Sequence, residues 1–575
     1  MPRAHRTDRT KIKQNFLTGF ILPLVLLAFM GLSLSTLVFL YLVSEQLPVP
    51  SPGVHSLVIE GQMVGTGKFI REGGEVAVPF HMFKEHLDPS ALWHSGEETL
   101  VVTTADKVVH LEKDRLSAQV NSLPVDLRFP VILEGGQPYV PLSFLADFYE
   151  VKLEIFPEEN RVVLQRLNQP FMTGRVTTGR GILHQGPSLK YPAQIGLDRD
   201  SPLVIYGEEE GFYKVRGPMG ELGYLHKGSA SLGDIQVLTA DKKESFVPWR
   251  PTGGKINLTW EHVISRNPDT EQLPEMPGLN VISPTWFHLR DEEGNITNLA
   301  DMDYVNWAQE QGYQVWALFS NNFDKDLTRA VLDSPQKRQY MINQLLIYAE
   351  LYQLNGINLD FENMYLEDKE HFVQFTRELA PLLHEQDMTL SVDVTFISTS
   401  VHWSLIYDRK ALAQAADYIM VMAYDEHWGS SPRAGSVSSL PWVERNLEAI
   451  LEEVPPEKLV LGVPFYTRLW QEEKEEDGSI KVSSRAYSMA GIEAHLKEKG
   501  AEPVWDERAG QFYAEYTTQE GRFRTWLEEE TSMASRIHLV RKYDLAGVAS
   551  WRRGFERPEI WQTIEDVLTQ RPYEK

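Results

Sequence analysis

From about residue 251 the chain alternates between two hydrophobic rhythms. Short apolar runs recur at Ile256–Trp260, Asn280–Trp286, Gln314–Ser320, Gly356–Glu362, Thr389–Phe396, Tyr418–Tyr424, Leu459–Tyr466 and Gly547–Trp551. Segments with apolar positions three and four apart separate most of them, as in Gln336 to Leu351 and His371 to Glu385. The first rhythm predicts buried strands and the second amphipathic helices. Repeated strand–helix units predict a parallel sheet, and eight of them predict an α/β fold closed as a (β/α)8 barrel over residues 251–570. The gap before the last strand is much longer than the others. Its stretch from Glu472 to Gly521 is rich in strand and turn residues around Trp505, Phe512, Tyr513 and Tyr516, and predicts an inserted α+β lobe at about 472–521 that deepens a cleft.

The pattern upstream is different. Val78-Pro79-Phe80-His81-Met82-Phe83 is echoed by Val140-Pro141-Leu142-Ser143-Phe144-Leu145, a strand entering a proline-started apolar helix each time. Strand-like runs such as Val101-Val102-Thr103 and Arg161-Val162-Val163-Leu164 follow, which predicts a small α+β module over residues 54–168. Residues 172–240 carry short strands cut by Gly and Pro turns, among them Leu203-Val204-Ile205-Tyr206 and Phe212-Tyr213-Lys214-Val215-Arg216. That spacing predicts a small β-barrel. Leu47-Pro48-Val49-Pro50-Ser51-Pro52-Gly53 has no core and cannot be helical, so residues 45–53 read as a linker.

The first residues break the pattern again. Arg3, Arg6, Arg9, Lys11 and Lys13 lie in a basic tail, residues 1–15, ahead of an uncharged run from Phe16 to Ser44. That run is roughly 29 residues, against about 20 needed to cross a bilayer. A buried core helix is the bland alternative. A cleaved signal peptide is the stronger rival, although this run is long for one and ends in Tyr41-Leu42-Val43-Ser44 rather than a small-x-small site. The basic flank predicts a cytoplasmic N-terminus, a single-pass anchor in the cell membrane and an extracytoplasmic body. At 575 residues the chain should hold three or four domains, and its net charge of −25 speaks against a nucleic-acid partner. There is no cysteine, so neither disulfides nor thiolate metal sites contribute.

The candidate chemistry lies in Asn355-Gly356-Ile357-Asn358-Leu359-Asp360-Phe361-Glu362. Side chains alternate faces along a strand, so Asn358, Asp360 and Glu362 share one side while Ile357, Leu359 and Phe361 share the other. Glu362 falls at the C-terminal end, which in a parallel barrel is the functional mouth. A bare Asp-x-Glu usually lies on a solvated face. Here the apolar partners bury the strand, and three buried polar side chains are costly without a purpose.

This run resembles the signature of glycoside hydrolase family 18, with Asn355 and Asn358 standing where the family pattern has acids. Met422-Ala423-Tyr424-Asp425, Gly462-Val463-Pro464-Phe465-Tyr466-Thr467-Arg468 and Ala549-Ser550-Trp551 extend the likeness over the last 320 or so residues. Ser283-Pro284-Thr285-Trp286-Phe287 and Tyr424-Asp425-Glu426-His427-Trp428 are similar to the branch acting on bacterial cell wall or spore cortex. The resemblance implies a substrate-assisted hydrolase of N-acetylglucosamine-containing polysaccharide that needs no cofactor. Glu362 would be the acid and base, Asp360 would accept the acetamido N–H, and Tyr424 would donate to the acetamido oxygen. Trp551 would floor the reacting ring. Asn358, Trp286, Asp425, Tyr466, Arg468 and Trp428 would bind substrate, and Asn358, an amide, would hold Asp360 by a hydrogen bond and leave it readily ionised. His427 lacks companions at ligand spacing, so no metal is expected. The upstream modules resemble the copper amine oxidase N-terminal module, here without a histidine cluster for copper, and bacterial SH3-like domains. A catalytically silent carbohydrate-binding protein and a chitinase-type enzyme remain the alternatives.

Overall fold

The structure, a computed structural model, describes residues 55–72, 75–239 and 254–569. The predicted anchor, its basic tail and the linker lie outside the described residues. Among those described, no helix is long and apolar enough to cross a membrane.

Eight parallel strands close a barrel. They are β1 (Ile256–Glu261), β2 (Val281–Pro284), β3 (Gln314–Ser320), β4 (Gly356–Asp360), β5 (Thr389–Thr395), β6 (Tyr418–Met422), β7 (Leu459–Pro464) and β8 (Gly547–Trp551). Each pairs in parallel with the next, and β1 pairs with β8 through Ile256↔Gly547 to complete the ring. Alternation sorts the two faces. Ile357, Leu359 and Phe361 join the outer core under the helices, whereas Leu258, Trp260, Trp316, Leu318 and Met420 fill the lumen. Trp316 stacks on Tyr418 there, with ring centroids 5.7 Å apart. Gly356 opens β4 because a Cβ would lie 2.6 Å from the Thr389 carbonyl oxygen and 2.9 Å from the Trp316 ring.

Helices α1 (Met302–Glu310), α2 (Lys325–Leu332), α3 (Pro335–Leu351), α4 (Lys369–His384), α5 (Arg409–Ala415) and α6 (Leu440–Ile450) follow the strands. α3 starts where sequence logic places it: the Ser334 hydroxyl accepts from the Lys337 amide at 3.2 Å, and Pro335 takes the first helical position. The inserted lobe is wider than expected. Its five-stranded sheet runs from Tyr466–Lys474 to Gly521–Trp526 and carries α7 (Met489–Lys499). The strand period runs on unbroken from β7, so composition alone placed the boundary too late. α8 (Glu530–Lys542) and α9 (Glu559–Thr569) complete the ring.

The described residues divide into two compact units. One holds residues up to His86 and from Tyr139 to 239. In it the two sequence echoes pair antiparallel, Tyr139↔Pro79 and Val140↔Val78, before entering the helices Phe80–His86 and Leu142–Leu145. A seven-stranded antiparallel sheet spans Pro170–Val176 to Ala230–Val237. Arg216 ties that sheet to the first one through Glu154 at 2.7 Å and Gln165 at 2.8 Å.

The other unit joins the barrel to Leu87–Pro138, a stretch that the linear reading assigned to the N-terminal module. Five antiparallel strands from Leu92–His94 to Leu123–Asp126 lie on α3 and α4. Val101 and Val108 enter the barrel's outer core. Glu97 accepts from Ser334 and from the Gln336 amide, and Lys107 faces Glu385 at 3.6 Å. Burial pushes the His110 imidazole down, beside the fully buried Arg338–Glu378 pair at 2.8 Å.

Candidate active site

Asp360 and Glu362 stand at the mouth end of β4, as the alternation predicts. Two neighbouring turns hold the backbone around Glu362. Asn321, just after β3, accepts from the Glu362 amide at 3.1 Å and donates to the Glu362 carbonyl at 2.7 Å and to Thr328 at 2.8 Å. Asn322, Phe323 and Asn363 have φ of 56°, 57° and 50°, left-handed values that side chains rarely adopt. Asn363 donates to the Phe323 carbonyl at 2.8 Å and closes the cluster. Such local strain persists where surrounding bonds over-determine it.

Burial dominates the electrostatics. It raises Asp360 from 3.8 to about 7 and raises Glu362 well above 4.5, with Asp360, Asp393 and Asp425 adding like-charge repulsion to Glu362. Asp360 Oδ1 is buried without a hydrogen-bond partner. This corrects one expectation, since its surroundings make Asp360 harder, not easier, to ionise.

The second correction concerns Asn358. Its side chain is fully buried and does not grip Asp360. The Trp260 indole N–H donates to Asn358 Oδ1 at 2.8 Å and the Ser283 hydroxyl donates to the same oxygen at 3.2 Å. Asn358 Nδ2 donates to Asp393 Oδ1 at 2.8 Å. Asp393, on the inner face of β5, is the residue that the sequence reading missed. It is 2% exposed, and burial followed by Asp360 pushes its carboxyl well above 3.8. The available signal was Leu390-Ser391-Val392-Asp393-Val394, an acid alternating out of an otherwise apolar strand.

Across the mouth, Tyr424 is half-buried after β6 and meets the Tyr466 ring edge-on at 6.2 Å. Burial raises the hydroxyls of both well above 10. The Tyr466 hydroxyl donates to Asp425 at 2.6 Å, and Arg468 reaches the same oxygen at 3.4 Å. Trp551 ends β8, its ring 6.1 Å from Trp260 and 5.9 Å from His262. Trp428 stands apart on the loop after β6, 52% exposed. Trp286 is not at the mouth. It is fully buried in the outer core, edge-on to Tyr304 at 5.6 Å, with its indole donating to Asn267 at 2.6 Å. β2 ends at Pro284 and the chain turns outward, so an aromatic that looks terminal in sequence packs under the helices instead.

The assembled groups can do acid chemistry. Three carboxyls share one site, and among the described residues none of Asp360, Glu362 and Asp393 forms an ion pair. Arg409, close by on α5, is turned to the carbonyls of Thr395, Phe396 and Ser404. Acids in such a site, without a cation beside them, resist ionisation. The mouth can therefore present a proton donor, a buried acceptor and tyrosine hydroxyls to one small neutral group.

The family model for glycosyl hydrolases family 18 matches residues 285–556, and that for the copper amine oxidase N-terminal domain matches residues 59–164. The chain is 26% identical over 298 residues to the uncharacterized glycosylase YvbX of Bacillus subtilis, covering 50% of this chain and 84% of that one. It is 26% identical over 251 residues to the cortical fragment-lytic enzyme of the same species, covering 42% and 57%. A solved chitinase from Chromobacterium violaceum aligns at 23% identity with a TM-score of 0.48, over 55% of this chain and all of that one.

Proposed function

We propose, from the match of residues 285–556 to the family model for glycosyl hydrolases family 18, that this O-glycosyl hydrolase cuts peptidoglycan or spore cortex next to N-acetylglucosamine by substrate assistance. The observation that carries the reading is the β4 end, where Asp360 and Glu362 lie half-buried on one face and Asp360 keeps a buried oxygen without a partner. The likeness to a cortical fragment-lytic enzyme supports the choice of glycan.

Glu362, kept protonated by burial, donates to the leaving glycosidic oxygen. The nucleophile is the carbonyl of the substrate's own 2-acetamido group, the route for which family 18 departs from the two-carboxylate scheme. Asp360 lies only about 6–7 Å from Glu362 by strand rise. It is on the same face of the strand and cannot attack the opposite face of the ring. It accepts the acetamido N–H on Oδ1 and stabilises the cyclic cation. Tyr424 orients the acetamido oxygen and Trp551 floors the ring. Glu362 then takes a proton from water, which reopens the ring and leaves the anomeric configuration retained. Asp425, positioned by Tyr466 and Arg468, binds the neighbouring hydroxyls.

The remaining assignments belong to the same reading. Residues 16–44 anchor the chain in the membrane, and residues 54–168 and the SH3-like residues 172–240 hold the barrel against the wall. The test is digestion of purified peptidoglycan and spore cortex, with the new reducing ends identified by mass spectrometry. N-acetylglucosamine ends that vanish with Glu362→Gln support the reading. Muramic acid ends, or activity that survives the substitution, overturn it.

A further inference from the structure

We propose that Asp393 is a positioning residue of this site, a buried carboxylate steered by Asn358 that keeps the proton on Glu362 until substrate occupies Asp360. The inference rests on the function proposed above and assigns work to a β5 acid that does not touch the substrate.

The amide sets the geometry. An indole N–H can only donate, so Asn358 must turn Oδ1 towards Trp260, at 2.8 Å. Ser283 donates to that oxygen as well. Nδ2 is thereby forced towards Asp393 Oδ1, at 2.8 Å, and that oxygen can only accept. Burial and Asp360 push the Asp393 carboxyl up, and the hydrogen bonds from Asn358 and Trp260 draw it part of the way back. Asp360 is different: its Oδ1 is buried with no donor in reach.

Three carboxyls packed this closely do not all ionise readily, because each charge opposes the next. With no ion pair to offset them, a first negative charge settles where N–H groups already point, which is Asp393. That charge disfavours ionisation of Asp360 and Glu362, and the general acid stays loaded. When an acetamido N–H reaches Asp360 Oδ1, Asp360 gains the donor it lacked and becomes the better home for charge. Asp393 thus couples occupancy of the acetamido pocket to the charge state of β4.

The groups facing Asp393 are few. Asp360 and Glu362 come from β4, Tyr424 from the end of β6 and Tyr407 from the segment before α5. Trp260 on β1 and Asn358 on β4 supply the donors.

The experiment is the pH profile of kcat/KM for the full chain, its Asp393→Asn variant and the swapped Asn358→Asp/Asp393→Asn variant. The basic limb reports loss of the Glu362 proton in free enzyme. Removing the Asp393 charge lets that proton leave more easily, so the limb of Asp393→Asn moves down by about one pH unit or more. The swap puts a carboxyl back beside Asp360 and returns the limb to within a few tenths of the parent. A structural role alone would lower kcat at every pH without moving the limb. An unmoved limb in a folded Asp393→Asn, or a swap that stays shifted, overturns the proposal; if Asp393→Asn fails to fold, Asp393→Ser takes its place with the same shift expected. The protonated-carboxyl infrared band, measured with and without Glu362→Gln in each background, follows the same proton without turnover. Failure of the parent to cut any glycan would therefore sink the proposed function while this titration still decides the inference.

Discussion

Asp360→Asn isolates the electrostatic part of the chemistry. The substitution keeps the shape of the side chain and an oxygen able to accept the acetamido N–H, and removes only the charge. A carboxylate about 4 Å from the cationic ring of the intermediate, at an effective dielectric of about 20, is worth roughly 4 kcal/mol. That is close to a thousandfold in kcat. KM should change little, because the charge is matched only as the cation develops. The loss should depend on pH in a defined direction. Free-enzyme Asp360 titrates at about 7, so above that pH the parent can use the carboxylate and the gap in kcat/KM is full. Below it the parent is itself neutral at Asp360 and the gap narrows. The assay is reducing-end release from acetylated glycan between pH 5 and 8.5, with glycan binding as the control for folding. A loss below tenfold, or a gap that widens towards acid, would refute the reasoning.

Two further outcomes follow from packing and burial. Val101→Ala, at a fully buried contact between the strands of residues 87–138 and the barrel, should cost about 2 kcal/mol; hydrogen exchange should then open α3 and α4, which flank catalytic strand β4, and protection lost only within 87–138 would contradict the shared core. Asp360, Glu362, Asp393 and Glu528 all have carboxyls raised by burial, Asp360 and Glu528 to about 7, so the folded chain binds more protons than the unfolded one and stability should fall as pH rises from about 4 to about 7; a melting temperature that climbs over that window would count against the burial argument.

What the sequence conveyed depended on whether the signal was local. Strands β3 and β8 have the bounds that their apolar runs predict, and the two faces of β4 follow from alternation. Both effects are carried by consecutive residues. Asp393 escaped because its meaning comes from Asn358 on the neighbouring strand, a contact 35 positions away. The same blindness turned Asn358 towards Asp360, its nearest acid in sequence, rather than towards the acid beside it in space. Trp286 was misjudged because an aromatic at a strand end looks the same whether the chain next turns in or out. The partition of Leu87–Pro138 was invisible for a related reason: its strands alternate like any others, and only the burial of Val101 and Val108 reveals what covers them.

The central claim is that the substrate's acetamido group supplies the nucleophile. Its most direct measurement compares kcat on matched glycan oligomers with and without the N-acetyl group at the reacting sugar. The account predicts that deacetylated oligomers still bind but that turnover falls by several orders of magnitude, while acetylated ones are cut with retention and are blocked competitively by a thiazoline mimic of the cyclic intermediate. Equal turnover of the two would contradict it and require a second carboxylate acting as nucleophile.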